Sequence, residues 1–290
     1  MLLLDFVFDS QYNARMNLNG KVVVITGASM GIGEAIGLEF VRHGASVVFS
    51  SRDASRAEAA RQRVGTTERT FAMACDVSKR SEIERALQET LSRFKRVDVW
   101  VNNAGFGLMD SVASMDMREC RRMFDTNLFG VLDAMQLVVP VIKQQGSGSI
   151  INIASTAGHI AVPYMAAYCA SKHALRAIGN AARLELRGTG VNVLTVCPGY
   201  ISTDFSVNAV KGKERLRLGA AAKRGITADR VARATLRAYI RKKREISVPW
   251  RDHIVIKLYE TFPSLVDFAM ARMLAPADQV IADAAAARKN

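Results

Sequence analysis

Tyr168 and Lys172 stand four residues apart in an alanine-rich stretch, thirteen residues after Ser155. On a helix that spacing puts a phenol and an ammonium on one face. An unperturbed tyrosine, with a pKa near ~10, is a poor proton donor or acceptor at neutral pH, and moving it to ~7 takes roughly 4 kcal/mol. One ammonium at about 4 Å and an effective dielectric of ~20 supplies an attraction of about that size. The pair by itself is a short pattern that recurs by chance. Its weight comes from a glycine-rich turn far upstream, Thr26-Gly27-Ala28-Ser29-Met30-Gly31-Ile32-Gly33. Glycines there let the backbone approach a pyrophosphate, whose charge then meets a helix N-terminus. A dinucleotide site together with an acid–base tyrosine points to hydride transfer between a nicotinamide and a substrate carbon.

Such residues need a scaffold, and the pattern supplies one. From Lys21 onward, short β-branched runs alternate with longer helical patterns, which is the signature of βαβ units and a parallel sheet. The expected strands are Val22 to Thr26, Ser46 to Ser50, Thr70 to Ala74, Val97 to Val101, Ser149 to Ala154, Val191 to Val196 and Glu245 to Val248. Helices are expected to start near Gly33, Ala54, Lys79, Asp116, Met165 and Thr227. Seven strands so arranged describe one doubly wound, Rossmann-like α/β sheet flanked by helices, with a helical C-terminal extension. We divide the chain into an N-terminal extension (1–17), a dinucleotide-binding and catalytic domain (18–250) and an amphipathic C-terminal extension (251–290). Two stretches depart from the rhythm. Pro198 to Ile226 is long enough to be a functional lid. After Pro249, apolar residues from Ile254 to Leu274 recur at helical spacing with Pro263 as a break, which predicts an amphipathic hairpin or bent helix.

The spacing Gly-x-x-x-Gly-x-Gly resembles the glycine pattern of short-chain dehydrogenases/reductases, and other motifs agree with that family in order and spacing over about residues 18 to 250. Asn102-Asn103-Ala104-Gly105 follows the fourth strand and resembles the family's Asn-Asn-Ala-Gly, which stabilises the sheet and lines the cofactor site. Asp76-Val77 looks like its adenine-contacting pair. Asn127, Ser155, Tyr168 and Lys172 match its catalytic tetrad, and Pro198-Gly199, with Ile201 and Thr203 beyond, resembles its nicotinamide-binding turn. The resemblance implies cofactor contacts from Gly27, Ser29, Met30, Gly31, Ile32, Gly33, Ser51, Arg52, Asp76, Val77, Asn103, Ala104, Gly105, Tyr168, Lys172, Pro198, Gly199, Ile201 and Thr203. It also implies that Tyr168 exchanges the proton, Ser155 polarises the same oxygen, Lys172 lowers the phenol pKa and binds ribose, and Asn127 positions a water. No metal is expected.

Cofactor preference is set after the second strand, where a carboxylate would hold a ribose 2′-hydroxyl and a cation a 2′-phosphate. The run Phe49-Ser50-Ser51-Arg52 has no carboxylate at the strand end, and Arg52 can form a charge-assisted fork to phosphate, which favours NADP. Asp53 follows one position late and leaves NAD open. The residues expected to line the substrate pocket, Ile160, Val162, Tyr164, Met165, Tyr200 and Phe205, are apolar, so an apolar ketone or secondary alcohol is the expected substrate. His159 either orients that substrate or is a solvated loop histidine.

Composition bounds the alternatives. At 290 residues and 49% hydrophobic content the chain can build a single large core. Cys75, Cys120, Cys169 and Cys197 form no C-x-x-C pair and read as reduced thiols, hence a cytoplasmic location. The start, Met1-Leu2-Leu3-Leu4-Asp5-Phe6-Val7-Phe8-Asp9, lacks a basic region and carries two aspartates, so no export signal is expected, nor a spanning segment elsewhere. The net charge of +13 is concentrated late: residues 205–290 hold 18 Lys+Arg against 8 Asp+Glu. No nucleic-acid-binding motif accompanies it. The expected partners are a small hydrophobic carbonyl or alcohol and further copies of the chain, as a homodimer or homotetramer. A rival reading is a cofactor-binding scaffold whose C-terminal third makes peripheral contact with a membrane and whose turnover is incidental.

Overall fold

The computed structural model describes residues 17–65, 67–201, 209–212 and 225–274. Seven strands form one parallel sheet: β1 (Val22–Ile25), β2 (Ser46–Ser51), β3 (Thr70–Ala74), β4 (Val99–Asn102), β6 (Gly148–Ile153), β7 (Val191–Pro198) and β9 (Glu245–Val248), in spatial order β3-β2-β1-β4-β6-β7-β9. The reversal of direction falls between β1 and β4, where Val23 pairs with Val99 and Ile25 with Val101. In doubly wound sheets the ligand crevice opens at that point, beyond the carboxyl ends of the strands.

The helices are α1 (Gly31–Arg42), α2 (Ala54–Val64), α3 (Arg80–Phe94), α4 (Met117–Phe124), α5 (Gly130–Gln145), α6 (Ala166–Glu185), α7 (Ala228–Ile240), α8 (Asp252–Thr261) and α9 (Pro263–Leu274). Strand residues alternate between two cores, as a two-residue period demands. Val24, Val48, Trp100 and Ile150 face α3, α5 and α6, whose Ile83, Val138 and Leu175 meet them. Val23, Ile25, Val47, Phe49, Val99 and Val101 face the other way, onto Ile36 and Phe40 of α1 and Val231 and Leu236 of α7. Burial on both faces explains why these strands read as unbroken apolar runs.

All seven expected strands and six expected helices are present, with ends shifted by a few residues. A second, two-stranded sheet was not among the expected elements: β5 (Leu108–Met109) pairs with β8 (Val210–Lys211), which falls within the expected lid. Most of that lid, with Phe205 and Thr203, lies outside the described residues, as do residues 1–16 of the N-terminal extension. The run Met117–Gln145 is long and apolar enough to cross a membrane. Its Val131, Val138 and Ile142 instead pack in the core against the sheet. Past β9 the chain bends at Phe262 and restarts with Pro263 as the first residue of α9, a position proline favours. Of this bent helical segment, Ile256 and Val266 are buried, while Ile254, Val255, Leu258, Phe262, Leu265 and Phe268 stay exposed.

Candidate active site

The glycine-rich turn leaves β1 and enters α1 through residues only glycine accommodates. Gly27 has φ +63°, and a Cβ there would stand 2.7 Å from Ala104 Cα. Backbone contact is this close because Asn103 knits the two loops together: its Nδ2 donates to the Thr26 and Gly27 carbonyls at 2.9 Å each. Thr26 Oγ1 in turn accepts from the amides of Asn103 and Ala104 at 3.0 and 3.1 Å. Met30 precedes α1 and offers no side-chain cap to its first turn. An uncapped N-terminus behind a glycine cradle suits a pyrophosphate. The residues present therefore fit a dinucleotide.

The end of β2 places Ser51 inside and Arg52 in solvent. Asp53 is the N-cap of α2: its Oδ1 accepts from the amides of Ser55 and Arg56 and from the Ser55 hydroxyl. These bonds hold its carboxyl below the usual range, with the Ser55 hydroxyl the largest cause. Two residues absent from the sequence reading then appear. Arg56 Nη2 lies 3.7 Å from Met30 Sδ. Arg63 donates to the Ser29 carbonyl at 3.0 Å and pairs with Glu34 at 2.6 Å, bracing the turn. Recognising Asp53 as a helix cap would have put Arg56, three residues on, in the first turn of that helix. Farther along the crevice, Asp76 Oδ1 accepts from the Ser78 amide and hydroxyl, fixing the loop after β3, and Val77 is buried.

The tetrad residues converge from three elements. Asn127 sits in a π-helical turn, Asp125–Phe129, that interrupts the helix between α4 and α5. Fully buried, it donates from Nδ2 to the Phe106 carbonyl at 3.0 Å and to Ser171 Oγ at 3.3 Å, and accepts from the Phe106 amide at 3.1 Å. Ser155 follows β6, accepts from the Ala157 amide at 3.1 Å, and is hydrogen-bonded to the Tyr168 hydroxyl. Tyr168 and Lys172 lie on α6, both buried. Lys172 Nζ donates to the Ile153 carbonyl at 2.9 Å and stands 5.8 Å from the centre of the Tyr168 ring. Gly105 closes the group: a Cβ there would be 2.9 Å from Asn127 Oδ1 and 3.6 Å from Lys172 Nζ. The four residues are thus one cluster, with Asn127, Tyr168 and Lys172 buried and Ser155 half-buried.

Its electrostatics differ from the expectation that Lys172 lowers the phenol pKa. Burial is the dominant influence on both groups. It raises the Tyr168 phenol, against the lowering effect of the Ser155 hydrogen bond, and brings the Lys172 ammonium down to about 8. The Lys172 amine is held on a backbone carbonyl beside the ring, so its charge does not outweigh desolvation of the phenolate.

Pro198 and Gly199 end β7. The Pro198 carbonyl accepts from Ser155 Oγ at 3.4 Å, and the Gly199 amide donates to the Val248 carbonyl at 2.8 Å. Ile201 bridges Ile226 across the base of the lid. Asp252 of α8 abuts Gly199, and burial raises its carboxyl pKa. His159 is not the solvated loop histidine that was one reading of the sequence. Its side chain is 4% exposed, and Nε2 lies 3.3 Å from Glu245 Oε1, whose other oxygen pairs with Arg176 at 3.0 Å. Tyr164 adopts φ +62° and is held by the Asp110 amide, which donates to its carbonyl at 2.8 Å. All four cysteines are buried free thiols.

A glycine cradle at the switch point of a doubly wound sheet, beside a serine–tyrosine–lysine cluster, defines a nicotinamide-dependent oxidoreductase. Comparison with known proteins gives the family. The short chain dehydrogenase family matches residues 21–214. A Drosophila melanogaster protein, "Dehydrogenase/reductase SDR family protein 7-like", is 31% identical over 266 residues, covering 89% of this chain and 82% of its own. The ketoacyl reductase HetN of Nostoc is 35% identical over 234 residues, covering 80% and 79%. Among solved structures, a Burkholderia phymatum short chain dehydrogenase/reductase in complex with NAD shares the fold at TM-score 0.78 and 23% identity, covering 86% and 96%. A 3-ketoacyl-(acyl-carrier-protein) reductase from Brucella melitensis complexed with NADH superposes at TM-score 0.73 and 26% identity, covering 81% and 99%. The chain belongs to the short-chain dehydrogenase/reductase family.

Proposed function

We propose that this protein is an NADP-dependent reductase of an apolar ketone, working in the cytoplasm. The observation that carries this reading is the convergence of Ser155, Tyr168 and Lys172 beside the glycine cradle, with the Tyr168 hydroxyl hydrogen-bonded to Ser155. A phenol so held is placed to exchange a proton with a substrate oxygen that Ser155 also binds. Held by the glycine cradle, a nicotinamide dinucleotide would supply the hydride. Ser155 would hold the carbonyl oxygen and Tyr168 protonate it, with Lys172 and Asn127 lining the path by which a proton from solvent replaces the one given.

Preference for NADP is supported by the cations after β2. Arg52 is exposed at the strand end, Arg56 stands beside Met30, and Asp53, the one carboxylate near enough to favour a ribose hydroxyl, is committed to capping α2. The NAD and NADH in the two solved relatives belong to those proteins; the preference argued here rests on this chain's own residues. An acyl-chain ketone is supported by the ketoacyl reductase relatives and by the apolar Val162 and Met165, which pack against the cluster that contains Tyr168. The test is turnover of a panel of apolar ketones and 3-ketoacyl thioesters with NADPH and NADH. We expect NADPH to be preferred, with Arg52→Ala/Arg56→Ala lowering kcat/KM for NADPH by about 10- to 100-fold and leaving NADH within about threefold. Tyr168→Phe is expected to lose about 10²- to 10⁴-fold in kcat with NADPH affinity kept. Equal use of both cofactors by the parent protein would end the NADP assignment, and substantial turnover by Tyr168→Phe would end the assignment of the acid.

We also propose that the exposed apolar face of α8 and α9 packs on a second copy of the chain. Between Trp250 and Leu274 the basic residues Arg251, Lys257 and Arg272 are matched in number by the acidic Asp252, Glu260 and Asp267. Mixed charge around an apolar face suits a self-complementary contact better than an anionic lipid surface.

A further inference from the structure

Opposite the active site, at the amino ends of the strands, the molecule has a second concavity of about 700 Å³. Its wall comes from the residues before β1, β4, β6, β7 and β9 and from the C-terminal ends of α6 and α7. Nothing in the reaction described above uses it. The substrate and dinucleotide crevice of a doubly wound sheet lies at the other end of the strands.

The charge there is one-sided. Lys21, Arg183, Arg187, Lys242 and Arg244 line the cleft, against one carboxylate among the described residues, Asp98. Asp98 is already neutralised twice, by Lys21 at 2.9 Å and Arg96 at 2.6 Å. Among the described residues the Arg244 side chain engages the neutral Asn180 side chain, at 3.0 Å. The C-termini of α6 and α7 place carbonyl ends at the cleft, together equivalent to roughly one negative charge, so about three of the four remaining positive charges are uncompensated. A role as dipole caps alone does not account for them.

Arg183 and Arg187, four residues apart at the end of α6, bring two guanidinium groups to one side of the cleft. Gly146 and Gly188 on the rim have open space where a Cβ would stand and leave the backbone open to close approach, while Leu186 and Tyr239 supply an apolar wall. Arginine forks match phosphate oxygens, and the volume is that of a small-molecule site.

We propose that this cleft is a second anion site, taking a multiply phosphorylated small molecule at the base of the sheet, with Arg183, Arg187 and Lys242 as its phosphate ligands. The site is independent of the NADP assignment. The test is thermal unfolding of the full chain, in saturating NADPH and at fixed ionic strength, titrated with inorganic triphosphate. We expect a saturable rise in Tm with a midpoint below about 1 mM, and a midpoint at least tenfold higher in Arg183→Gln/Arg187→Gln/Lys242→Gln. Arg118→Gln/Arg230→Gln/Arg233→Gln removes the same charge elsewhere on the surface and should keep the parental midpoint. Turnover by the cleft variant should match the parent, which also shows that it folds. Equal responses in all three proteins would mean generic attraction to a basic surface and would overturn the site. A response in the parent seen only without NADPH would place the triphosphate in the cofactor crevice, with the same consequence.

Discussion

Lys172 is a buried cation whose site disfavours its own charge. Its pKa is about 8 in the folded protein against 10.5 for the ordinary side chain, a gap worth roughly 3 kcal/mol. The sign follows from proton counting. Between about pH 8 and 10.5 the unfolded chain binds a proton that the folded one does not, so this residue makes stability rise with pH across that window. Below pH 8 its full cost is present. Replacing it with methionine removes that cost and also the hydrogen bond to Ile153, worth about 1 kcal/mol. Lys172→Met is therefore expected to be more stable than the parent by about 2 kcal/mol at pH 7 in urea unfolding, with activity lost. The advantage should shrink toward zero at pH 10. A variant less stable at pH 7, or equally favoured at both pH values, contradicts the assignment. The tetrad was legible through its resemblance to a family motif; of its geometry, only the i,i+4 placement of Tyr168 and Lys172 on one helix face could be read from spacing. Dominance of burial over the ammonium was not legible, because desolvation depends on what the fold stacks around α6. Arg56 and the pairing of His159 with Glu245 escaped for the same reason: one is made relevant by a helix cap and the other by a strand, β9, more than eighty residues away.

The loop after β2 shows how an element's needs decide a residue's function. Asp53 stands where a carboxylate bound to ribose would be conceivable, yet α2 begins immediately after it and claims both backbone bonds its Oδ1 accepts. If capping is its role, Asp53→Ala should lower stability by about 1 kcal/mol, measured by urea unfolding, and leave the ratio of kcat/KM for NADPH over NADH unchanged. A shift of that ratio with stability intact would mean that Asp53 serves the cofactor instead. Gly27 presents a similar constraint in backbone form. With φ +63° and only 2.7 Å to Ala104, Gly27→Ala must push the Asn103–Ala104 loop away, so NADPH affinity should fall at least tenfold by fluorescence titration. The main sheet could be read from sequence because strands buried on both faces are apolar over their whole length. The β5–β8 pair could not, being two residues per strand and paired across about a hundred positions. The π turn carrying Asn127 has no composition of its own; its residues continue a helical pattern, and the extra residue per turn shows only in the backbone.

At the scale of the whole molecule, the C-terminal bent helical segment is the feature least satisfied by the rest of the chain. Ile256 and Val266 hold it to the domain, while Trp250 is 65% exposed and Phe262 and Leu265 are each 59% exposed. Large apolar side chains gathered on two consecutive helices form the kind of patch that marks an interaction surface. Lipid and a second copy would both cover it, and charge separates them. The excess of positive charge in the last third of the sequence lies in residues 205–250, whereas the segment from Trp250 to Leu274 carries three residues of each sign. The segment that bears the apolar face therefore brings no net positive charge of its own to an anionic lipid surface. A two-fold contact needs only that the same face meet itself, with each acidic residue free to find a basic one across the axis. The parent protein is therefore expected to be a dimer or a tetramer built from that dimer in light scattering. Ile254→Ser/Phe262→Ser/Leu265→Ser should halve the particle mass while leaving the far-UV circular dichroism unchanged. Its rate of hydride transfer should stay within about threefold, because none of these side chains belongs to the tetrad. If the parent is instead a monomer that sediments with phosphatidylglycerol vesicles at low salt and is released at high salt, the face belongs to a membrane and the dimer is lost.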